Sequence, residues 1–249
     1  MANDIIVETT DLVKVYKQGH VRAVDGLNLR VHRGEIYALI GANGSGKTTA
    51  IKMLTGILAP TSGTIKIFGL EIPRYHGIVS RRIGVSPQEY SIYQDLTVEE
   101  NIRFFADIYG MDKESCDMKL AELVQVMRLE DKHDTLGVNL SGGMKRRVSI
   151  ACALVHSPEL ILFDEATVGV DPVLRKYFWS YFNSLKETGK AIILTSHVMD
   201  EAERADRIGL MRAGRLIDEG TPAELKTRND VASIEDVFLK LSEGVEIND

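Results

Sequence analysis

Cysteine and proline are scarce in this chain of 249 residues, and acidic residues outnumber basic ones. The two cysteines, Cys116 and Cys152, lie far apart without the spacing of a metal site, so we expect both to pack inside a protein kept in a reducing compartment. The 30 basic and 36 acidic residues give a net charge of −6. We therefore expect no nucleic acid as partner, because phosphate backbones attract clustered positive charge.

Long hydrophobic runs are also lacking. No stretch approaches the roughly 18 apolar residues of a membrane-spanning helix. The first residues lack the basic and apolar regions of a signal peptide. We therefore expect the chain to work in the cytoplasm, where any role at a membrane would require a separate membrane-embedded partner.

The hydrophobic residues that are present, 44% of the chain, are sufficient for the core of one large α/β domain. Helical spacing dominates residues 89–156, residues 207–219 are typical of a hairpin, and residues 233–241 of a final helix. Strands alternating with helices predict a largely parallel sheet that binds ligands at the C-terminal ends of its strands. Apolar patterns predict strands at residues 5–10, 24–31, 35–40, 64–68, 82–86, 160–164, 191–195 and 208–211. A helix face is predicted from Leu174, Tyr177, Phe178, Tyr181 and Leu185.

Residues 41–48 carry the clearest chemical signal, the sequence GANGSGKT between a predicted strand and a predicted helix. They match the phosphate-loop pattern G-x-x-x-x-G-K-[ST] in full. The glycines let backbone N–H groups converge on phosphate oxygens, the lysine supplies a point charge, and a hydroxyl can bind Mg²⁺. The predicted nucleotide-binding residues are Gly41, Asn43, Gly44, Ser45, Gly46, Lys47, Thr48 and, towards the α-phosphate, Thr49, with Thr48 also predicted to bind Mg²⁺.

A second signal is the run LILFDE at residues 160–165, which predicts a buried strand with two carboxylates at its tip. Asp164 is suited to hold Mg²⁺, and Glu165 is suited to polarise an attacking water. The alternative is an ordinary strand end with solvated acids. The presence of a phosphate loop in the same chain favours the catalytic interpretation.

A third signal is the run LSGGMKRR at residues 140–147. Ser141 is a favoured helix N-cap, and the amides of Gly142 and Gly143 open the helix. Three basic residues at the positive end of a helix dipole are unfavourable unless an anion compensates. Two interpretations remain open: a capped helix with a solvated basic turn, or a site where Ser141, Gly142 and Gly143 bind the γ-phosphate of a nucleotide held by another subunit. Two chains arranged head to tail would explain why one sequence carries two anion sites.

Three further side chains are candidates for the same site, because two of them follow predicted strands and the third precedes the phosphate loop. His197 follows the predicted strand 191–195 and could contact the γ-phosphate or the attacking water. Gln88 follows the predicted strand 82–86 and could contact Mg²⁺ or the water. Tyr16 could stack on adenine. The plainer alternatives are a structural or solvated histidine, a loop glutamine and a core tyrosine.

Together these residues resemble the ATP-binding-cassette (ABC) ATPase family over essentially the whole chain. By this resemblance the Walker A motif is at residues 41–48, the signature at 140–143 and Walker B at 160–164, followed by the catalytic Glu165. The Q-loop glutamine is Gln88, the D-loop ends at Asp171, the switch histidine is His197 and the A-loop aromatic is Tyr16.

The resemblance implies an α/β fold, namely a P-loop NTPase core with a mixed, largely parallel sheet, an antiparallel β portion and an inserted α-helical subdomain. It implies one domain over residues 1–249, with a catalytic core at 1–88 and 157–220, the helical subdomain at 89–156 and a C-terminal helical extension at 221–249. It also implies a dimer, in the simplest case a homodimer, closed around two ATP and Mg²⁺. Each ATP would lie between Walker A of one chain and the signature of the other.

Finer details resemble the drug- and polymer-exporting branch of the family, namely the runs at residues 141–147, 195–203 and 234–239. This implies an ATPase peripheral on the cytoplasmic face of a membrane, which drives export through a separate permease docked on about residues 89–110. The sequence departs from the family after Glu165: Ala166 replaces proline, Val168 replaces serine and Val170 replaces leucine. These changes fall on the loop that crosses to the opposite site.

Two other functional classes are weighed against this one. A soluble ABC ATPase, for example one of iron–sulfur assembly, would carry the same motifs and purify with soluble partners. A small-molecule kinase would use the phosphate loop, but it leaves residues 140–143 and His197 without a role. The exporter hypothesis accounts for all of these motifs.

Overall fold

The computed structural model describes residues 4–17, 20–165 and 170–243, without the side chains of Asp200 and Glu243. The strands in these ranges are β1 (Ile5–Tyr16), β2 (Val21–His32), β3 (Ile36–Ile40), β4 (Ser62–Ile67), β5 (Leu70–Ile72), β6 (Ile83–Ser86), β7 (Leu160–Asp164), β8 (Ala191–Ser196), β9 (Arg207–Arg212) and β10 (Arg215–Gly220). The α-helices in the same ranges are α1 (Lys47–Leu54), α2 (His76–Val79), α3 (Val98–Ile108), α4 (Lys113–Val126), α5 (Gly142–Leu154), α6 (Pro172–Glu187), α7 (Met199–Ala202), α8 (Pro222–Asn229) and α9 (Ile234–Glu243).

The larger sheet has six strands in the order β10-β9-β3-β8-β7-β6. All of its neighbours pair in parallel except β10, which forms an antiparallel hairpin with β9. Every residue of β3, β7 and β8 is buried. Continuous apolar runs of this kind are typical of parallel strands covered on both faces, and the predicted mixed sheet is confirmed.

The smaller sheet is antiparallel, in the order β2-β1-β4-β5. Strands β1 and β2 are each twelve residues long, so the predicted strands at 5–10 and 24–31 were too short. The predicted strands were short because the pairing of β1 with β2 is irregular. Its register shifts between Thr9 and Leu12, and Asp11 adopts a φ of 47° there. Such irregularities interrupt the alternation of apolar and polar residues from which strand ends are predicted.

Aromatic side chains of α6 pack on the larger sheet. Phe182 stacks on Phe163 of β7 with ring centroids 4.8 Å apart, and Phe178 is fully buried beside it. Tyr177, which was predicted on this apolar face, is instead 47% exposed. The guanidinium of Arg128 lies 3.7 Å from the centre of its ring, and this cation–π contact replaces burial.

The larger sheet brings four chain segments to one edge, because β3, β6, β7 and β8 are parallel and end on the same side. Helices α3, α4 and α5 fall within residues 89–156, and α8 and α9 follow residue 220. The division into core, helical lobe and extension stays a prediction. Within the described ranges, no helix is long and apolar enough to cross a membrane.

Candidate functional site

The glycine loop joins the C-terminal end of β3 to the start of α1. Gly46 is the N-cap of α1 with a φ of 106°, a left-handed conformation that favours glycine. A Cβ atom at this position would lie 2.2 Å from the carbonyl oxygen of Ala23, so the close approach of the two backbones also requires glycine. The loop therefore ends at the start of a helix, where the first N–H groups have no partner within the helix and can bind an anion.

A cleft of about 370 Å³ lies over this loop. Nine of the residues that line it were predicted, namely Tyr16, Asn43, Gly44, Gly46, Lys47, Thr48, Thr49, Gln88 and Glu165. Val21 and Ala23 also line the cleft and were not predicted. Gly41 and Ser45, which belong to the same loop, are buried. The cleft thus gathers three separate segments of the sequence around the phosphate loop.

Lys47 supplies a buried positive charge at the floor of this cleft. Its side chain is almost fully buried, and Nζ donates to the carbonyl oxygens of Gly41 at 2.7 Å and Ala42 at 3.0 Å. Burial lowers the pKa of the Lys47 ammonium, while the carboxylates of Glu165 and Asp164 act in the opposite direction. A cation that has already lost much of its water is well placed to attract phosphate oxygens.

Asp164, at the tip of β7, is held by two hydroxyl groups. Thr48 Oγ1 donates to Asp164 Oδ1 at 3.2 Å, and Thr195 Oγ1 donates to the same oxygen at 2.5 Å. Thr195 was not predicted as a site residue. The signal that could have found it is the pair of hydroxyl residues, Thr195 and Ser196, at the end of an apolar and fully buried strand.

Glu165 is the meeting point of the predicted catalytic side chains. Gln88 Nε2 donates to Glu165 Oε2 at 3.1 Å, and His197 Nδ1 lies 3.2 Å from Glu165 Oε1. The Glu165 backbone has a φ of 54°, which is uncommon for a residue other than glycine. Its N–H donates to both the carbonyl and the hydroxyl oxygen of Thr195, each at 3.1 Å. These two bonds hold the backbone of Glu165 in this uncommon conformation.

Tyr16 lies at the end of β1, on the wall of the cleft. It is 38% exposed, and its hydroxyl is 3.5 Å from Thr49 Oγ1. The alternative of a core tyrosine is therefore wrong. An aromatic face at the mouth of a phosphate-binding cleft can stack on a planar ring.

The signature residues lie apart from this cleft. Ser141 caps α5 by accepting a hydrogen bond from the N–H of Met144 at 3.3 Å. Ser141, Gly142 and Gly143 are exposed, and they are not among the residues that line the cleft of their own chain. The free helix start therefore faces outward.

The two arginines of the basic turn that follows are held by backbone carbonyls, contrary to the interpretation of a solvated basic turn, while γ-phosphate binding at residues 141–143 stays a prediction. The guanidinium of Arg146 is buried and donates to the carbonyl oxygens of Pro87 and Gln88. The guanidinium of Arg147 donates to the carbonyl oxygens of Met127 and Arg128. Backbone carbonyls, which carry partial negative charge, thus stabilise the two guanidinium groups that lie near the positive end of the helix dipole.

Comparison with known proteins agrees with this geometry. The family model described as "ABC transporter" matches residues 24–168. The probable multidrug ABC transporter ATP-binding protein YbhF of Escherichia coli is 39% identical over 226 residues, which is 91% of this chain and 39% of that protein. The Nod factor export ATP-binding protein I of Paraburkholderia xenovorans is 44% identical over 208 residues, which is 83% of this chain and 68% of the relative.

Two solved structures share the fold. The ATP-binding subunit of an ABC transporter has a TM-score of 0.88 at 30% identity, over 95% of this chain and 99% of the other. The dimeric cassette MJ0796, bound to ADP and Pi in a post-hydrolysis state, has a TM-score of 0.81 at 26% identity, over 86% of this chain and 98% of the other.

The chain therefore belongs to the ABC transporter family. The predicted cassette and its fold class are confirmed, while the roles of individual site residues stay predictions. The chain spans about two fifths of the length of YbhF and about a third of the length of ABC transporter G family member 20 of Dictyostelium discoideum. The altered positions Ala166 and Val168 lie outside the described residues, and Val170 is buried.

Proposed function

We propose that this chain is the ATP-binding and ATP-hydrolysing subunit of an ABC exporter. The observation that carries this proposal is the placement of Glu165, which lies at the wall of a cleft floored by the phosphate loop and contacts Gln88 and His197 through separate carboxylate oxygens. A carboxylate held in this way can accept a proton from a water that attacks a terminal phosphate.

In this function the glycine loop and Lys47 bind the phosphates, and Tyr16 binds the adenine. The exposed loop residues Asn43 and Gly44 leave their backbone on the cleft surface. Thr49, next to the Tyr16 hydroxyl, lies between the aromatic wall and the loop. The cleft can thus hold an aromatic base at one end and an anionic chain at the other.

Mg²⁺ fits the oxygen atoms at the end of β7. Thr48 Oγ1 and Asp164 Oδ1 lie 3.2 Å apart, and both are hard oxygen donors of the type that Mg²⁺ prefers. Gln88 offers an amide oxygen from the opposite wall of the cleft. When bound, the ion would neutralise part of the charge on the phosphates. The Thr195 hydroxyl, which also donates to Asp164 Oδ1, restricts the orientation of this carboxylate.

Water activation is assigned to Glu165, with His197 and Gln88 as neighbours that orient it. The three side chains approach from the ends of β7, β8 and β6, which pair directly in one sheet. Contacts to both carboxylate oxygens restrict rotation of the carboxylate, so that the group is oriented before substrate binds.

A second copy would complete the site. Ser141, Gly142 and Gly143 face outward in their own chain, where a helix start can bind an anion delivered by another protomer. The dimeric structure of MJ0796 with ADP and Pi supports the same arrangement for this chain. The partner is proposed to be an identical chain.

The membrane partner is proposed to dock on about residues 89–110, at the cytoplasmic face. The names of the relatives, which refer to multidrug and Nod factor export, support export as the direction of transport. Tyr90 and Tyr93 are about half exposed in this segment, and Tyr93 packs edge-on against Phe104 with ring centroids 4.6 Å apart. Exposed aromatic clusters of this kind are typical of protein contacts.

The proposal is tested by capture from detergent-solubilised native cells in the presence of ATP, with tagged Glu165→Gln protein as bait. We expect a polytopic membrane protein to be recovered, and its identity will indicate the substrate class. Adding Tyr93→Ala to the bait is expected to reduce recovery, whereas Tyr177→Ala, which removes an equally exposed tyrosine on α6, is the matched control. Recovery of soluble partners alone would overturn the exporter function and favour the soluble ABC ATPase.

The aromatic wall of the cleft gives a separate prediction about affinity. Replacing Tyr16 with alanine is expected to raise the Kd for ATP about tenfold, because stacking of a base on an aromatic ring contributes about 1–3 kcal/mol. Tyr16→Phe keeps the ring and loses only the hydroxyl near Thr49, so its affinity should stay near that of the wild type. Isothermal titration with ATP and with inorganic triphosphate distinguishes a loss of adenine stacking from a loss of phosphate binding. An equal loss for both ligands would contradict adenine stacking.

A further inference from the structure

Helix α5, which begins at the signature residues 141–143, contacts the Q-loop around Gln88. The sequence did not predict this contact. Arg146, in the second turn of α5, is 7% exposed. Its Nη1 donates to the carbonyl oxygen of Pro87 at 2.6 Å, and its Nη2 donates to the carbonyl oxygen of Gln88. One planar guanidinium thus holds two consecutive backbone carbonyls that lie 58 and 59 residues earlier in the chain.

Tyr90 closes the other side of the same junction. The Arg146 guanidinium lies 5.1 Å from the centre of the Tyr90 ring, within the range of a cation–π contact. The Tyr90 hydroxyl lies 2.9 Å from the point where a Cβ at Gly142 would stand. The start of the signature helix therefore contacts the Q-loop at two places, through Arg146 and through Gly142.

The Q-loop is in turn in contact with the catalytic carboxylate. The backbone of Gln88 is held by Arg146, while its side chain donates to Glu165 Oε2 at 3.1 Å. The carboxylates of Asp164 and Glu165 also attract the Arg146 charge, although burial dominates and lowers the pKa of its guanidinium. An unbroken series of contacts therefore runs from α5 through Arg146 and Gln88 to Glu165.

We propose that Arg146 is a positioning residue, which fixes the backbone at residues 87 and 88 and so holds Gln88 against Glu165. The inference rests on the proposed ATPase function and deepens it. Because Arg146 belongs to the helix that begins at the signature, a shift of that helix moves the Q-loop backbone with it. Contact of the signature with a nucleotide would then change the orientation of the catalytic carboxylate in the same chain.

Arg147 offers a matched control. It is the next residue of the same helix, it is partly buried, and its guanidinium also donates to two consecutive backbone carbonyls. Those carbonyls belong to Met127 and Arg128, after the end of α4. Arg146→Met and Arg147→Met therefore remove the same kind of interaction, but only the first removes it from the Q-loop.

The first measurement is hydrogen–deuterium exchange followed by mass spectrometry. In Arg146→Met we expect faster uptake in peptides that cover residues 86–92, with no change at residues 126–130. In Arg147→Met we expect the reverse. Unchanged uptake at residues 86–92 in a folded Arg146→Met protein would overturn the proposal, because the Q-loop would then be held by other contacts.

The second measurement is a double-mutant cycle of ATP turnover. We expect Arg146→Met to lower kcat about tenfold to a hundredfold with little change in the affinity for ATP, since misplaced catalytic groups cost rate more than binding. In a Gln88→Ala background the same change should cost almost nothing further, because both act through one contact. Full additivity, or an equal loss of kcat in Arg147→Met, would overturn the proposal.

The two measurements distinguish failure of the proposed ATPase function from failure of the positioning role of Arg146. A wild-type chain that releases no phosphate from ATP would contradict the proposed function, and the exchange data would still decide whether Arg146 holds the Q-loop. A wild-type chain that turns over ATP, with an additive double-mutant cycle, would contradict the inference about Arg146 alone.

Discussion

Replacing Glu165 with glutamine is expected to lower the rate of ATP turnover by about 10³-fold, a loss within the usual range for removal of a general base. Glutamine keeps the shape of the side chain and can accept a hydrogen bond from Gln88, but it cannot take a proton from water. ATP should still bind, because the phosphate loop and Lys47 are unchanged. Phosphate release under saturating ATP and the Kd for ATP are the two measurements.

The same Glu165 variant should favour the dimer when ATP is present, because ATP that is bound and not hydrolysed keeps the two copies together. Size-exclusion chromatography with light scattering measures this. Glu159→Gln is the matched control, since Glu159 lies next to the opposite end of β7 and forms exposed ion pairs with Arg33 and Arg82. Its turnover should stay near the wild-type rate. Unchanged turnover in Glu165→Gln would mean that another group activates the water.

The second large effect is expected at Lys47. Methionine has nearly the same length without the charge, and we expect turnover to fall by more than about 10³-fold, beyond the loss caused by removing a single preorganised donor. Affinity for ATP should fall as well, because the phosphates lose a desolvated cation. The carbonyl oxygens of Gly41 and Ala42 also lose their donor, so the loop itself becomes less ordered.

Lys52→Met provides the control for Lys47→Met. Lys52 lies on the same helix α1, and its side chain is exposed. Turnover and ATP affinity of the Lys52 variant should match the wild type. Thermal unfolding of both variants excludes a general loss of structure. ATP affinity that is unchanged in Lys47→Met would contradict the role of this lysine in phosphate binding.

Most of the site was predictable because its chemistry is concentrated at strand ends. The phosphate loop, Asp164 and Glu165 each follow a strand that the apolar pattern identifies, and parallel strands bring such ends together. The contact between Gln88 and Glu165 follows from the pairing of β6 with β7, which the sequence alone did not specify. The sequence thus indicated which residues are candidates for the site, and the sheet order determined which of them touch.

The residues that were missed or misplaced depend on contacts between distant segments. One interpretation placed the basic turn at residues 145–147 in solvent, but Arg146 and Arg147 reach carbonyl groups 19 to 59 residues away. Tyr177 was expected on the apolar face of its helix, but its ring is exposed and lies against Arg128. Apolar spacing alone does not reveal this partner. Local patterns thus do not determine which distant partner a side chain contacts.

The sheet also determines how this site tolerates change in the rest of the chain. Gln88 and Glu165 are 77 residues apart, and Glu165 and His197 are 32 residues apart, yet all three side chains meet. Their spacing comes from three neighbouring strands, whose axes lie about 4.8 Å apart in any sheet. The polypeptide between those strands can therefore lengthen, shorten or acquire new binding surfaces over evolutionary time without altering the distances at which the reaction takes place.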